Sequence, residues 1–188
     1  MMLGRKYGGD EDYRLRSRSR TRSLSPTSSD EDTISWQYME QPKKSMVDDD
    51  AKLLNVLLAS LLVLRNNTHT YHWFIRGKNF VEIHQLLNQQ YDQILLNADR
   101  LAEYMIANKF LDDTSLTNCV KISVVKDRRV KFTTKPVDMI SDLFDQHKLI
   151  YNYLKDIQTK SRVLDNILAD LQEYHKKQMW FLESILSE

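Results

Sequence analysis

Cysteine occurs once in the 188 residues, at Cys119, so no disulfide can form within the chain, and a reducing, intracellular setting is expected. Long apolar runs are missing too. The longest, Leu53 to Leu64, is broken by Asn55 and Ser60 and is too short to cross a bilayer, so it is read as a buried helix with no membrane role. Met1 to Gly9 has no apolar centre of the kind a secretory signal carries. Acidic residues neighbour the Arg-containing stretch that follows, which argues against a transit peptide, and no export is expected. An excess of one charge is also absent: residues 1–50 carry nine Lys/Arg against ten Asp/Glu, and residues 51–188 carry eighteen against sixteen. Any charge that matters is local.

Glycine and proline are scarce where a folded domain is expected. Residues 1–47 hold three of the four glycines and two of the three prolines, with few branched apolar residues, and read as a disordered tail. Within it Arg14, Arg16, Arg18, Arg20 and Arg22 occupy every second position with no acid among them. Flexible arginines at that density suit a sequence-independent binder of nucleic-acid phosphates, so DNA is an expected partner. Two other readings stand beside it. The segment is a solvated tail, or its Ser-Arg character and the Ser29-Asp-Glu-Asp32 cluster recruit a protein. Ser17, Ser19, Thr21, Ser23 and Ser25 are also phosphoacceptor candidates that would cancel the positive charge.

From Asp48 onward only Gly77 and Pro136 interrupt the chain, and four long helices fit. The first is expected from the Asp48–Asp50 cluster, whose charge suits a helix N-terminus, to near Gly77, with Leu54, Leu57, Leu58, Leu61 and Leu62 as its apolar stripe. A second, from Asn79 or Phe80 to about Asn108, carries Val81, Ile83, Leu87, Tyr91, Ile94, Leu95, Ala98, Leu101, Ala102 and Met105 on its apolar side. Residues 112–135 form a connector in which Val120 to Val124 alternates weakly like a strand. Thr134 is the expected N-cap of a third helix with Pro136 in its first turn, ending near Gln158. Ser161 caps a fourth, whose apolar residues are Leu164, Ile167, Leu168, Leu171, Met179, Phe181 and Leu182. The fold class is therefore all-α, a four-helix bundle of the crossover kind.

Chemistry concentrates between His72 and Glu103. His84 and Asn88 are four residues apart on the second helix, as are Asp99 and Glu103, so each pair shares a helix face. From His84 to Asp99 is about 22 Å along a straight helix at ~1.5 Å per residue. One metal ion cannot touch both pairs of one chain. Two copies lying antiparallel about a twofold axis bring His72 and His84 of one to Asp99 and Glu103 of the other, creating two equivalent sites. Two imidazoles and two carboxylates suit Fe(II), and Zn(II) would also bind. A di-iron site inside one bundle calls instead for Glu-x-x-His pairs, and no histidine here has a glutamate three positions before it.

The residues His72-Trp73, Arg76-Gly77-x-Asn79-Phe80, His84, Asp99-x-x-Ala102-Glu103 and Trp180-Phe-Leu-Glu183 resemble the Dps family, the mini-ferritins named for DNA-binding protein from starved cells, over about Leu53 to Leu186. The resemblance implies a ferritin-like bundle with a short extra helix in the connector, assembled as a hollow dodecamer of twofold dimers. It implies ferroxidase sites between subunits, with His72 and His84 from one and Asp99 and Glu103 from the other as catalytic and metal-binding residues. Fe(II) is the substrate, hydrogen peroxide the preferred oxidant before dioxygen, and ferric iron the stored product. Protection of DNA from oxidative damage follows, and many members bind DNA through basic extensions. Two departures stand out. The family often has a carboxylate where this chain has Asn88, and Gln89, Gln90 and Gln93 stand where it is frequently acidic, which points to weaker iron chemistry and lower capacity. The alternative function is a structural DNA-condensing shell protein with reduced or lost ferroxidase activity. Trp73 and Trp180 are read as packing residues. Asp138, Asp142 and Asp145 either line an iron-entry pore or form a solvated face. His69, His147 and His175 receive no partner, and Cys119 is read as incidental.

Overall fold

A computed structural model describes residues 44–187, with side chains from Asp49 onward; the Arg-rich run Arg14, Arg16, Arg18, Arg20 and Arg22, and nearly all of the tail read over 1–47, lie outside the described residues. Five helices follow in order: α1 Lys44–Phe74, α2 Phe80–Ala107, α3 Leu116–Ile122, α4 Pro136–Lys155 and α5 Arg162–Leu186. No strand occurs among the described residues, and the alternation at 120–124 falls partly inside α3. No described helix is long and apolar enough to cross a membrane.

The boundaries differ from expectation at two places. Helix α1 begins at Lys44, ahead of the acidic cluster, so Asp48–Asp50 lie inside it rather than at its start. Helix α4 is capped by Lys135 in an extended conformation, not by Thr134, with Pro136 at its first position. The Thr134 hydroxyl is engaged one turn back, accepting from the Lys131 N–H at 3.1 Å. Ser161 caps α5 as expected, its Oγ accepting from the Leu164 N–H.

Helices α1 and α2 form one antiparallel hairpin and α4 and α5 another, and the two hairpins pack along α1 and α4 and along α2 and α5. The first hairpin turns on Gly77 and Asn79, both in the left-handed region with φ of 98° and 59°. Glycine adopts that region freely and asparagine better than most residues, which gives the Arg-Gly-x-Asn-Phe segment a physical basis. A turn this tight sets residue 84 beside residue 72.

The core is a leucine-rich seam: Leu54, Leu57, Leu61 and Leu64 of α1 meet Leu87, Ile94 and Leu101 of α2 and Leu143, Ile150 and Leu154 of α4, all fully buried. Two residues assigned to the apolar side of α2, Val81 and Leu95, face outward instead, 56% and 45% exposed. Trp73 and Trp180 are likewise 64% and 61% exposed, so neither is enclosed in the core of the single chain. All four lie on helix faces that no other described element covers.

The polar interruptions of α1 hold the connector. Asn55 Nδ2 donates to the Phe110 carbonyl at 2.6 Å and its Oδ1 accepts from the Asp112 N–H. Ser60 Oγ accepts from the Val124 N–H. Asn67, fully buried, donates to the Lys126 carbonyl and to Gln146 and accepts from the Arg128 N–H. The chain thus climbs α1 from residue 110 to residue 128, its backbone groups satisfied by side chains where no sheet or helix serves them. Asp142, expected at an iron-entry pore or on a solvated face, is partly buried in the single chain. It accepts from Tyr71 and Gln146 and pairs with Arg128, which leaves the Tyr71 hydroxyl, already shielded by burial, still harder to ionise.

Candidate metal centre

Because the turn fixes their register, His72 on α1 and His84 on α2 stack with ring centroids 3.7 Å apart and an interplanar angle of 23°. Each ring is tied to the other's backbone: His72 Nδ1 lies 3.0 Å from the His84 carbonyl, and His84 Nδ1 lies 2.9 Å from the His72 carbonyl. A carbonyl only accepts, so each Nδ1 carries its proton and donates. In the neutral ring that leaves Nε2 with a lone pair, the tautomer a metal ligand needs.

Around this pair lies an aromatic cluster. Tyr91 stands edge-on to His72 at 5.3 Å and against His69 at 4.2 Å, and His69 in turn packs on Trp73 at 4.3 Å. Burial, the Arg65 guanidinium and His72 hold His69 below the ordinary imidazole range, with Asp92 opposing them. Asn88 is held at both ends, its Oδ1 accepting from the Tyr91 hydroxyl at 2.7 Å and its Nδ2 donating to Asp92 at 3.0 Å. That amide is engaged within the chain.

Asp99 and Glu103 are exposed farther along α2, and among the described residues no group of three or more His, Cys, Asp and Glu could hold a metal ion. The single chain therefore brings the two histidines together and leaves both carboxylates apart from them. Gln89 and Gln93 are exposed, but Gln90 is not on that face: it is buried and donates to Gln178 at 2.9 Å. Asp138 and Asp145 are exposed. Cys119 is buried, which together with the Asp113 charge raises its thiol pKa.

A family model described as Ferritin-like domain matches residues 51–188. The chain belongs to the ferritin-like family. Within it, this chain is similar to the DNA protection during starvation protein of Helicobacter pylori, 24% identical over 140-odd positions covering 72% of this chain and 97% of that one. It is also similar in structure to a Dps protein of Vibrio cholerae, described as a member of a superfamily of ferritin-like diiron-carboxylate proteins. The TM-score is 0.70 at 25% identity, covering 76% of this chain and 91% of that one. Antigen TpF1 of Treponema pallidum superposes with a TM-score of 0.73 at 22% identity over 79% and 97% of the two chains, a likeness of fold. This ferritin-like chain is of the Dps type, as its His-Trp and Arg-Gly-x-Asn-Phe segments indicated.

Two features escaped the sequence. The mutual Nδ1 bonds of His72 and His84 depend on a register that only the turn reveals. The other is a buried pair, His147 on α4 and His175 on α5, whose Nδ1 atoms lie 2.8 Å apart. No spacing rule links residues on separate helices.

Proposed function

We propose that this chain is a Dps-like mini-ferritin that binds Fe(II) between twofold-related copies, oxidises it and stores the ferric product inside a hollow shell. The observation that carries the reading is the mutual anchoring of His72 and His84, which presents two lone pairs from one stacked unit. Asp99 and Glu103 of a second copy complete the ligand set and supply the negative charge that two neutral imidazoles lack. The chain's own part is to fix those ligands before iron arrives, so that little reorganisation accompanies oxidation. Hydrogen peroxide is the preferred oxidant in this reading: two Fe(II) give one electron each, the O–O bond breaks, and two protons complete two waters. Dioxygen is the slower substitute. Removing Fe(II) and peroxide together protects nearby DNA. The arginines from Arg14 to Arg22 hold the shell on phosphates, and twelve copies complete it.

The alternative, a structural DNA-condensing shell with reduced ferroxidase activity, draws on one observation. Asn88 is a neutral amide whose oxygen already accepts from Tyr91 and whose nitrogen donates to Asp92, which makes it a weaker ligand than a carboxylate. One comparison separates the two readings. Anaerobic Fe(II) titration followed by peroxide, with particle mass measured alongside, is run on the parent and on His72→Ala/His84→Ala. Fast oxidation in the parent, lost in an assembled double variant, supports the ferroxidase; equal rates in both overturn it.

A further inference from the structure

Arg65 and Asp92 stand at one level of the α1–α2 hairpin, and among the described residues neither has a charge partner. The Arg65 guanidinium lies over the Tyr91 ring, 5.7 Å from its centroid, and its Nε is buried with no hydrogen bond. Asp92 is exposed, and the one hydrogen bond it accepts is that from Asn88. Among the described residues neither takes part in a salt bridge. The terminal guanidinium nitrogens, unlike Nε, are not buried and have no hydrogen-bond partner among the described residues, so they are free to take an acceptor from outside the chain.

The surrounding face is apolar and open. Leu95 and Leu96 follow Asp92 by three and four residues, 45% and 61% exposed, and Trp73, 64% exposed, packs on His69. Large exposed side chains gathered around unpaired charges mark an interaction surface.

The position of that face follows from the proposed pairing of half-sites, on which this inference rests. Antiparallel α2 helices that bring residue 84 of one copy to residues 99–103 of another are related by an axis that crosses each helix midway, at about residues 91–94. Asp92 falls close to that axis, near its own counterpart in the second copy, and Arg65 stands beside Tyr91 at the same height. We propose that Arg65 of one copy pairs with Asp92 of a second copy of this chain across the axis, and reciprocally, so that two ion pairs close the twofold between Leu95, Leu96 and Trp73. The contact reaches the half-site through a short relay. Asp92 holds Asn88, Asn88 holds the Tyr91 hydroxyl, and the Tyr91 ring borders His72. Arg65 and Asp92 are positioning residues of the site as well as its clasp.

The test is a charge swap in the full-length chain. Asp92→Arg sets like charges across the axis, Arg65→Asp does the same with the other sign, and the double variant restores the pairing with its direction reversed. Mass measured across a dilution series should show each single reversal raising the concentration at which the assembly falls apart to monomers about tenfold or more, and the double returning to within about threefold of the parent. Asp92→Asn, which keeps an acceptor for Asn88, should weaken the dimer without loss of helix by circular dichroism. A monomeric parent, single reversals that assemble like the parent, or a double variant as defective as the singles would each overturn the proposal. Co(II) titration of the same samples reads the histidine site separately. A parent that assembles without binding Co(II) removes the ferroxidase reading, while the charge swap still decides the contact.

Discussion

His147 and His175 face each other through their Nδ1 atoms, 2.8 Å apart, both rings without exposure to solvent. One Nδ1 must donate and the other accept, so in the neutral pair the two rings hold opposite tautomers. Among the described residues neither Nε2 has a hydrogen bond, and Tyr174 borders both rings.

This pair makes the fold acid-sensitive. Burial pushes His147 down to about 3 and holds His175 well below its ordinary value, with His147 adding to the effect. The unfolded chain takes up protons near pH 6.5 while the folded one does not, so stability is complete above that value and falls as pH drops toward the folded value. The slope is about 1.4 kcal/mol per pH unit for each histidine. Urea unfolding at pH 7.5 and 5.0, at one protein concentration, should show the loss. His147→Leu/His175→Leu should lose less over the same interval, and an identical pH dependence would contradict the assignment.

Asn67 is fully buried on α1, and all three of its side-chain hydrogen bonds reach other segments. Replacing it with Ala strands the Lys126 carbonyl, the Arg128 N–H and one end of Gln146, and should destabilise the chain by about 2–4 kcal/mol. Denaturant midpoints measure it. Thr70, whose hydroxyl bonds only within its own helix, is the control, and Thr70→Ala should stay within about 0.5 kcal/mol.

Gly77→Ala meets no steric obstacle, since nothing lies within 4 Å of the added Cβ, yet its φ of 98° is one that side chains resist. A loss of about 1 kcal/mol or more is expected from conformation alone. Co(II) affinity should fall with it if the turn governs how His72 and His84 meet.

Asn88→Asp exchanges the amide for a second carboxylate one turn from Asp92. Repulsion between them costs a few tenths of a kcal/mol, and the Tyr91 hydroxyl keeps an acceptor. Under the ferroxidase reading the added charge tightens divalent-cation binding at the histidine pair by about tenfold. Anaerobic Co(II) titration checks this, and unchanged affinity would place residue 88 outside the site.

If the arginine run holds DNA, changing Arg14, Arg16, Arg18, Arg20 and Arg22 to Ala should flatten the salt dependence of binding by about 4–5 in log–log slope. Gel shifts across a salt series give the slope. Binding that keeps its salt dependence would point to another surface.

The bundle was legible in the sequence because amphipathic periodicity is a local property: the leucines at 54, 57, 58 and 61 are buried as their spacing required. The start of α4 was less so, since its N-cap Lys135 carries no side-chain cap signal. The burial of Trp73 and Trp180 was misjudged because hydrophobicity says that a side chain seeks cover and not which molecule supplies it. The two histidines were found by spacing, but their mutual anchoring needs two backbones at a fixed separation, and His147 and His175 lie on different helices with no pattern between them. Asn55 and Ser60 looked like flaws in an apolar run, when they are contacts to a segment more than fifty residues away.

Those α1 contacts have a consequence for how the chain can be cut. Residues 110–128 are tied to α1 by its asparagines and serine, in addition to the short α3 and the local bonds of Asp113 and Ser123, so loosening α1 removes most of what holds the crossover to the bundle. A protease acting between α2 and α4 would therefore report on the first helix: cleavage there should begin when α1 loosens, well before the α4–α5 hairpin comes apart.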